Sequence, residues 1–570
     1  MKKITLLFLA LSLSTFTAKV FAQNALDVGM SLLDKKDCAG ALPYLKRAIN
    51  DNPKSEKANL YLGSAYLCLG NLDSAEIFLR FAVRYDDKSA PAYFGLGQVY
   101  LKQKKDVEAL ENLKTATTLD PKDGKYQVAL GYAYLENDST DAAMKAFYRA
   151  TDLNDKNVQA IEGIGDVYFK QNILEAAIEN YNHALQLDSL NVPLMLKLAN
   201  TYMKNNDGGK AYEMFVKVSQ LAPNNADAQY QAGELLYTNK RYRDAFPFLQ
   251  KYHQLKPNDD KTLLDLAKSA YEGHLYSDAV TYYQEYLKKY PGSIMAKASI
   301  AASYFFESKP VQSYNIFKSI PIDSMDVKDL ARFGLAADAV HDTASTISAW
   351  SRAVKMDTSL DVIENRLAGV FFSARRYDEA IAHFKRYLTM KPNDYAAMLN
   401  MGLCYVASRN FGDAIIILKK VLTGIPDNYQ AALWLARTYS FADSLEQAAN
   451  AYDNVITLAL KDTSKTDHSS DLNEAYRVKA TYKIISGSRL SKNNPDEATK
   501  LYQSANQDLM NAVKYDPKDY KTHALLAQDY ALMGKMDEAC KEIKIVLRTA
   551  SRDDPTYNQM LQLQKSLSCE

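Results

Sequence analysis

The stretch LGYAYLENDSTDAAMKAFYRATDLNDKNVQAIEGIGDVY, residues 130–168, ends on a near-copy of its own beginning. LGYAY (130–134) returns as IGDVY (164–168), 34 residues later, with Ala143 and Ala150 between them. Working outward, the period holds through LGSAY (62–66), LGQVY (96–100), LANTY (198–202), AGELL (232–236), LAKSA (266–270) and IAASY (300–304). It slips by one residue at FGLAA (333–337), then resumes with LAGVF (367–371), MGLCY (401–405) and LARTY (435–439). VGMSL (28–32) and LAQDY (526–530) are outlying copies. Twelve residues after each small residue stands an alanine, from Ala75 through Ala143 to Ala279, and prolines such as Pro53, Pro121, Pro223, Pro392 and Pro517 close the copies. Repeats this short cannot bury an apolar face alone, so neighbours must stack into a shared core.

Within the second copy, Leu62, Ala65, Tyr66 and Leu69 recur at the spacing of an amphipathic helix. A turn at Gly70-Asn71 follows, then a second helix from about Ser74 to Tyr85. Small residues at fixed points let the two helices approach closely, and each proline stops the second helix. The pattern resembles the tetratricopeptide repeat over nearly all of the chain. The resemblance implies an all-α superhelical solenoid of about fourteen to fifteen helix-turn-helix repeats with a C-terminal capping helix. The expected organisation is a signal peptide (1–22), the main array (23–460), a flexible loop (461–470), further repeats (471–555) and the capping helix (556–570). The first of those further repeats has lengthened helices, because Ala498 to Ala512 spans fourteen residues where seven are usual. Around Pro310 to Asp326 the repeat is one residue short and has Ser313 in place of its central alanine, which predicts a local bend.

The 570 residues carry 69 Lys+Arg against 68 Asp+Glu, with 47% hydrophobic and 24% charged residues, which excludes wholesale disorder. Lys2 and Lys3, the apolar run Ile4 to Leu13 and Val20-Phe21-Ala22 read as a secretory leader, too short in its apolar part to span a bilayer. Its loss takes Lys2, Lys3 and Lys19 away and moves the net charge from +1 to −2. A near-neutral chain gives no electrostatic footprint for nucleic acid and no polybasic membrane surface. No later stretch is apolar enough for an integral membrane segment, so the expected location is the periplasm or outside the cell.

The seven histidines form no HExxH or i,i+4 pair, GLG (95–97) and GIG (163–165) lack a third glycine, and no P-loop occurs. No enzyme, cofactor or metal site is expected. In the tetratricopeptide family the first helix of each repeat lines a groove that holds a peptide. That resemblance carries the binding role onto Glu162, Asp166, Asn200, Lys204, Tyr230, Glu234, Tyr237, Lys268 and Tyr271, with Asn365 and Arg437 later in the chain. A polar and aromatic stripe suits peptide recognition, although a solvated face needs polar residues in any case. The expected partner is a protein or peptide and the expected role a scaffold in the cell envelope. An accessory subunit of an envelope enzyme or secretion complex, docking through 471–517, and a glycan-binding module are the alternatives.

Five cysteines are present, Cys38, Cys68, Cys404, Cys540 and Cys569, none in a metal-ligand spacing. In the implied array, successive helices run antiparallel and adjacent repeats stack with their turns on one edge. That geometry brings Cys540 to Cys569 and Cys38 to Cys68, leaving Cys404 as a buried thiol; the alternative is that all five are small packing residues. Six Asp-Ser or Asp-Thr tripeptides, among them Asp138-Ser139-Thr140, Asp342-Thr343-Ala344 and Asp443-Ser444-Leu445, resemble the O-glycosylation sequon of exported Bacteroidota proteins. Helix N-capping accounts for the same residues in the same places.

Overall fold

The computed structural model describes residues 25–464 and 466–569, so the expected leader, 1–22, lies outside the described residues. Among them run fifteen consecutive helix pairs, from 25–34 with Cys38–Asp51 to Tyr520–Leu532 with Met536–Thr549. A last helix, Pro555–Ser566, follows, and no strand occurs among the described residues. This is the all-α helical solenoid of fourteen to fifteen repeats that the period predicts, and the pairs are numbered repeats 1 to 15 below. The described residues group into two compact units, 25–282 and 283–569.

A regular repeat has a first helix of 13 residues and a second of 14, as in Val158–Lys170 and Leu174–Leu187 of repeat 5. Short polar side chains start the first helices. Asn157, Asn191, Asn225 and Asp259 each accept a hydrogen bond from the amide three residues on, a cap worth about 1 kcal/mol. The turn between the two helices needs one residue in the left-handed region. Gly70 supplies it in repeat 2 with φ of 76°, but Lys104, Asp138, Asn172, Asn206, Lys240 and His274 hold φ of 55–61° in repeats 3 to 8. Paired reverse bonds offset the strain: Asn172 N–H donates to the Phe169 carbonyl at 3.1 Å and Ile173 N–H to that of Tyr168 at 2.9 Å. Second helices end two residues before the expected prolines, with Asp120, Ala222 and Lys391 as their caps directly ahead of Pro121, Pro223 and Pro392. Ser139, Asp342 and Ser444 of the Asp-Ser and Asp-Thr tripeptides also stand at helix N-caps.

The small residue of each copy sets the closeness of the pair. A Cβ on Gly131 would stand 2.6 Å from a Phe147 ring carbon, and one on Gly165 2.6 Å from a Tyr181 ring carbon. The core passes from repeat to repeat. In the first unit, Ile161, Tyr181, Leu194, Leu198, Phe215 and Ala232 of repeats 5 to 7 form one cluster. In the second, Trp350, Leu367, Phe371, Phe384 and Met401 of repeats 10 to 12 do the same.

Irregular repeats stand where the sequence is irregular. The second helix of repeat 9 has 9 residues (Pro310–Lys318) before a 3-10 turn at Ile322–Ser324, and Ser313 is fully buried with no partner for its hydroxyl. In repeat 14 the helices have 22 and 21 residues, Ser469–Leu490 and Pro495–Tyr515. Residues 462–464 and 466–468 lie between repeats 13 and 14; His468 Nε2 lies 2.7 Å from Asp462 Oδ2, and its ring centroid lies 4.4 Å from that of Tyr429 with the planes tilted by 47°. Disulfides occur in both end regions. Cys38–Cys68 joins repeats 1 and 2 with Cα atoms 6.2 Å apart, and Cys540–Cys569 joins repeat 15 to the residues after the last helix at 5.5 Å. Cys404 is a buried thiol whose burial pushes its pKa up to about 12.

Candidate interaction stripe on the first helices

Numbering each 13-residue first helix from its first residue, positions 5 and 9 of one repeat face position 6 of the next. Glu162 and Asp166 are positions 5 and 9 of repeat 5, and Lys197 is position 6 of repeat 6 (Val192–Lys204). The Lys197 ammonium lies 2.7 Å from Glu162 Oε1 and 2.9 and 2.7 Å from the two Asp166 oxygens. Tyr181, itself 1% exposed, donates its hydroxyl to Asp166 at 2.6 Å. Burial alone would favour a neutral Lys197 amine, but Asp166 and Glu162 outweigh it and hold the ammonium above its ordinary range. Burial first, then the Asp166 charge, pushes the Tyr181 phenol far up, so it stays a donor. The two predicted carboxylates are therefore engaged between repeats. Lys197, which sequence reading missed, was legible only as a basic residue at a fixed offset from two acidic ones.

Lys197→Met should leave both carboxylates without a counter-charge in a site where their side chains are only 16% and 14% exposed. The expected loss is about 2–3 kcal/mol, and adding Glu162→Gln with Asp166→Asn should recover most of it. Urea unfolding of the three proteins measures both steps; a Lys197→Met midpoint equal to that of the parent would reject the clasp.

Repeat 13 repeats the rule with the signs exchanged. Arg437 at position 9 meets Glu474 at 2.6 Å and Asp471 at 3.0 Å on the first helix of repeat 14. Asn365, in repeat 11, is half-buried.

Repeats 7 and 8 hold the rest of the predicted stripe. Tyr230, Glu234 and Tyr237 are positions 5, 9 and 12 of Ala226–Thr238; Lys268 and Tyr271 are positions 9 and 12 of Asp260–Glu272. Each tyrosine lies beside a tyrosine of the following second helix: Tyr230 with Tyr252 at 5.2 Å, Tyr237 with Tyr242 at 5.5 Å, Tyr271 with Tyr276 at 6.1 Å. Burial, then the charge of Asp265 and a hydrogen bond to it, pushes the Tyr237 phenol up to about 12. Burial also raises the Asp265 carboxyl, against the opposing pull of Lys268 and Lys261. Oε2 of Glu234 is buried and has no hydrogen-bond partner. Asn200 and Lys204, on repeat 6, are exposed, and the Lys204 ammonium sits 4.6 Å over the Phe169 ring. The structure thus places the predicted tyrosines in three separate ring pairs and leaves Asn200 and Lys204 open to solvent. Among the described residues no group of side chains could hold a metal ion, and no helix is long and apolar enough to cross a membrane.

Family models described as tetratricopeptide repeat match residues 32–96, 95–158, 196–260, 261–293 and 371–422, and one described as TPR repeat matches 165–206. Together they span more than half of the chain. No curated protein matches the sequence. Among solved structures, a tetratricopeptide repeat protein from Parabacteroides merdae is 17% identical, over 44% of this chain and 98% of that one, with a TM-score of 0.35. Pseudomonas aeruginosa pilF is 22% identical, over 37% and 96%, at 0.30. Naa15/Naa10 bound to HypK-THB is 12% identical, over 96% of each chain, also at 0.30. At these identities and scores the likenesses say nothing about a partner.

Proposed function

Because the chain belongs to the tetratricopeptide-repeat family, we propose that it is a non-catalytic scaffold that binds a protein, or an extended segment of one, along the first helices of repeats 6 to 8. The observation that supports this reading is the contrast within the stripe. Glu162 and Asp166 are tied to Lys197, whereas Asn200 and Lys204 are exposed and the next two repeats carry half-buried tyrosine pairs. Tyrosine gives a stiff amphipathic surface at low entropic cost, and exposed amide and ammonium groups add direction. Affinity capture with the full chain and with Asn200→Glu/Lys204→Glu tests it, since both changes lie on the surface. Loss of a captured partner from the variant is the expected result, and identical partner sets would reject the stripe.

The same proposal extends to location. An exported protein, in the periplasm or outside the cell, would suit both the leader-like Met1 to Ala22 and the two disulfides, which persist in oxidising compartments. Cell fractionation with N-terminal sequencing should find Gln23 as the first residue; a cytosolic chain starting at Met1 would reject export. A near-neutral charge gives no reason to expect nucleic acid as a ligand. The 22- and 21-residue helices of repeat 14 favour a second reading, docking of the chain as an accessory subunit of an envelope complex. Removing 471–570 separates the two, because a partner held by repeats 6 to 8 survives that deletion.

A further inference from the structure

Three departures from the repeat register meet at one cavity in the second compact unit. Gly369 is position 9 of the first helix of repeat 11 (Asp361–Ser373), the place held by Asp166, Glu234, Lys268 and Arg437 elsewhere. Gly131 and Gly165 let a second helix come close, but a Cβ on Gly369 would meet nothing within 4 Å. A mid-helix glycine costs roughly 0.5–1 kcal/mol relative to alanine, and here packing gains nothing in return. Its effect is to leave open a cavity of about 710 Å³, lined also by Trp350, Asp338, His341, Arg366 and Ser373.

Arg366 is position 6 of repeat 11, the place of Lys197. The preceding first helix (Val327–Ala339) has Ala331 and Leu335 at positions 5 and 9, so the two carboxylates that Lys197 clasps have no counterpart. Asp338 is position 12 of that helix, where Phe169, Tyr237 and Tyr271 stand in other repeats. Both side chains are exposed, and neither makes an ion pair or hydrogen bond among the described residues, with each other or with anything else. One cavity therefore presents a separate cation and anion, with the fully buried Trp350 behind its wall. Asp338, His341, Arg366 and Ser373 are all exposed, so the cavity opens to solvent. That suits side chains projecting from a protein surface better than a small molecule, most of whose area a pocket must bury.

We propose that this cavity is a second recognition site, for a protein segment carrying one acidic and one basic side chain within a few residues. The acidic group takes the paired N–H donors of Arg366, and the basic group pairs with Asp338. The site rests on the reading of the chain as a protein-binding scaffold and gives that scaffold a recognition chemistry in repeats 10 and 11.

Panning a random dodecapeptide library on the full chain tests it, with Arg366→Ala, Asp338→Ala and Gly369→Phe as comparison proteins. Gly369→Phe fills open space and removes a helix glycine, so its unfolding midpoint should equal or exceed that of the parent. Enriched peptides should carry an acid–base pair and bind each variant at least tenfold more weakly. Enriched peptides without that pair, or with unchanged affinity for Arg366→Ala and Asp338→Ala, overturn the site. If such peptides respond to Asn200→Glu/Lys204→Glu instead, the site fails while the scaffold reading stands. No enrichment on any of these proteins overturns both.

Discussion

Replacing Cys540 and Cys569 by serine is expected to lower the stability of the C-terminal end by about 3–4 kcal/mol. The disulfide closes a loop with a sequence separation of 29, and the chain entropy it removes from the unfolded state is of that size. The effect should be local as well as large, because each repeat of such an array contacts only its neighbours. The last helix has Met560 as its single buried residue, so it holds few contacts of its own once untethered. Hydrogen exchange of 536–569 in the native protein and the double variant measures this. Protection should collapse there and persist in repeats 10 to 12; equal protection in both proteins would reject the tether. Non-reducing peptide mapping should recover the Cys540–Cys569 cross-link. Cys38–Cys68, with a separation of 30, predicts the same for repeats 1 and 2.

A comparable change is expected at Asp529, with a sign that depends on pH. Its carboxylate is fully buried on the first helix of repeat 15 (Tyr520–Leu532); Asn506 donates to Oδ2 at 3.1 Å and Oδ1 has no partner. Burial pushes its pKa up from 3.8 to about 6. Folding then takes up a proton between those values, so stability is full below about pH 4 and falls as pH rises through 6. A gap of about two pH units corresponds to about 3 kcal/mol lost at neutral pH. Thr201 and Thr438 hold the same register position, fully buried, and Thr201 donates its hydroxyl to the Lys197 carbonyl at 2.7 Å. Asp529→Thr should therefore be more stable than the parent at pH 7.5 by up to about 3 kcal/mol, and flatter between pH 4 and 6. Urea unfolding at pH 4.5 and 7.5 decides; an unchanged pH dependence would reject the assignment. His523, raised by its hydrogen bond to Glu542, loses its own contribution only above 6.5, so it leaves the lower window clear.

What the chain's sequence determines by itself are the features set by local rules. A small residue where two helices touch, an alanine twelve residues on and a proline after the second helix each act within one repeat, so they survive in a linear reading. The helix pairs, an irregular repeat at Pro310 to Asp326 and the long pair around Ala498 follow from that spacing, whereas the shortening of the helix Pro310–Lys318 to 9 residues does not. The left-handed turns were legible at Gly70 but not at Lys104 or His274, where reverse hydrogen bonds hold residues that disfavour that conformation. The partner of a side chain is a tertiary matter. His383 meets Glu364 and His523 meets Glu542 across 19 residues, a spacing that carries no motif and becomes contact only when two helices pack. Lys197 reaches Asp166 across 31 residues for the same reason. Only the packed repeats decide that these charges neutralise one another while Arg366 and Asp338 do not, because position 6 of a helix is paired or bare according to what the preceding helix places opposite it.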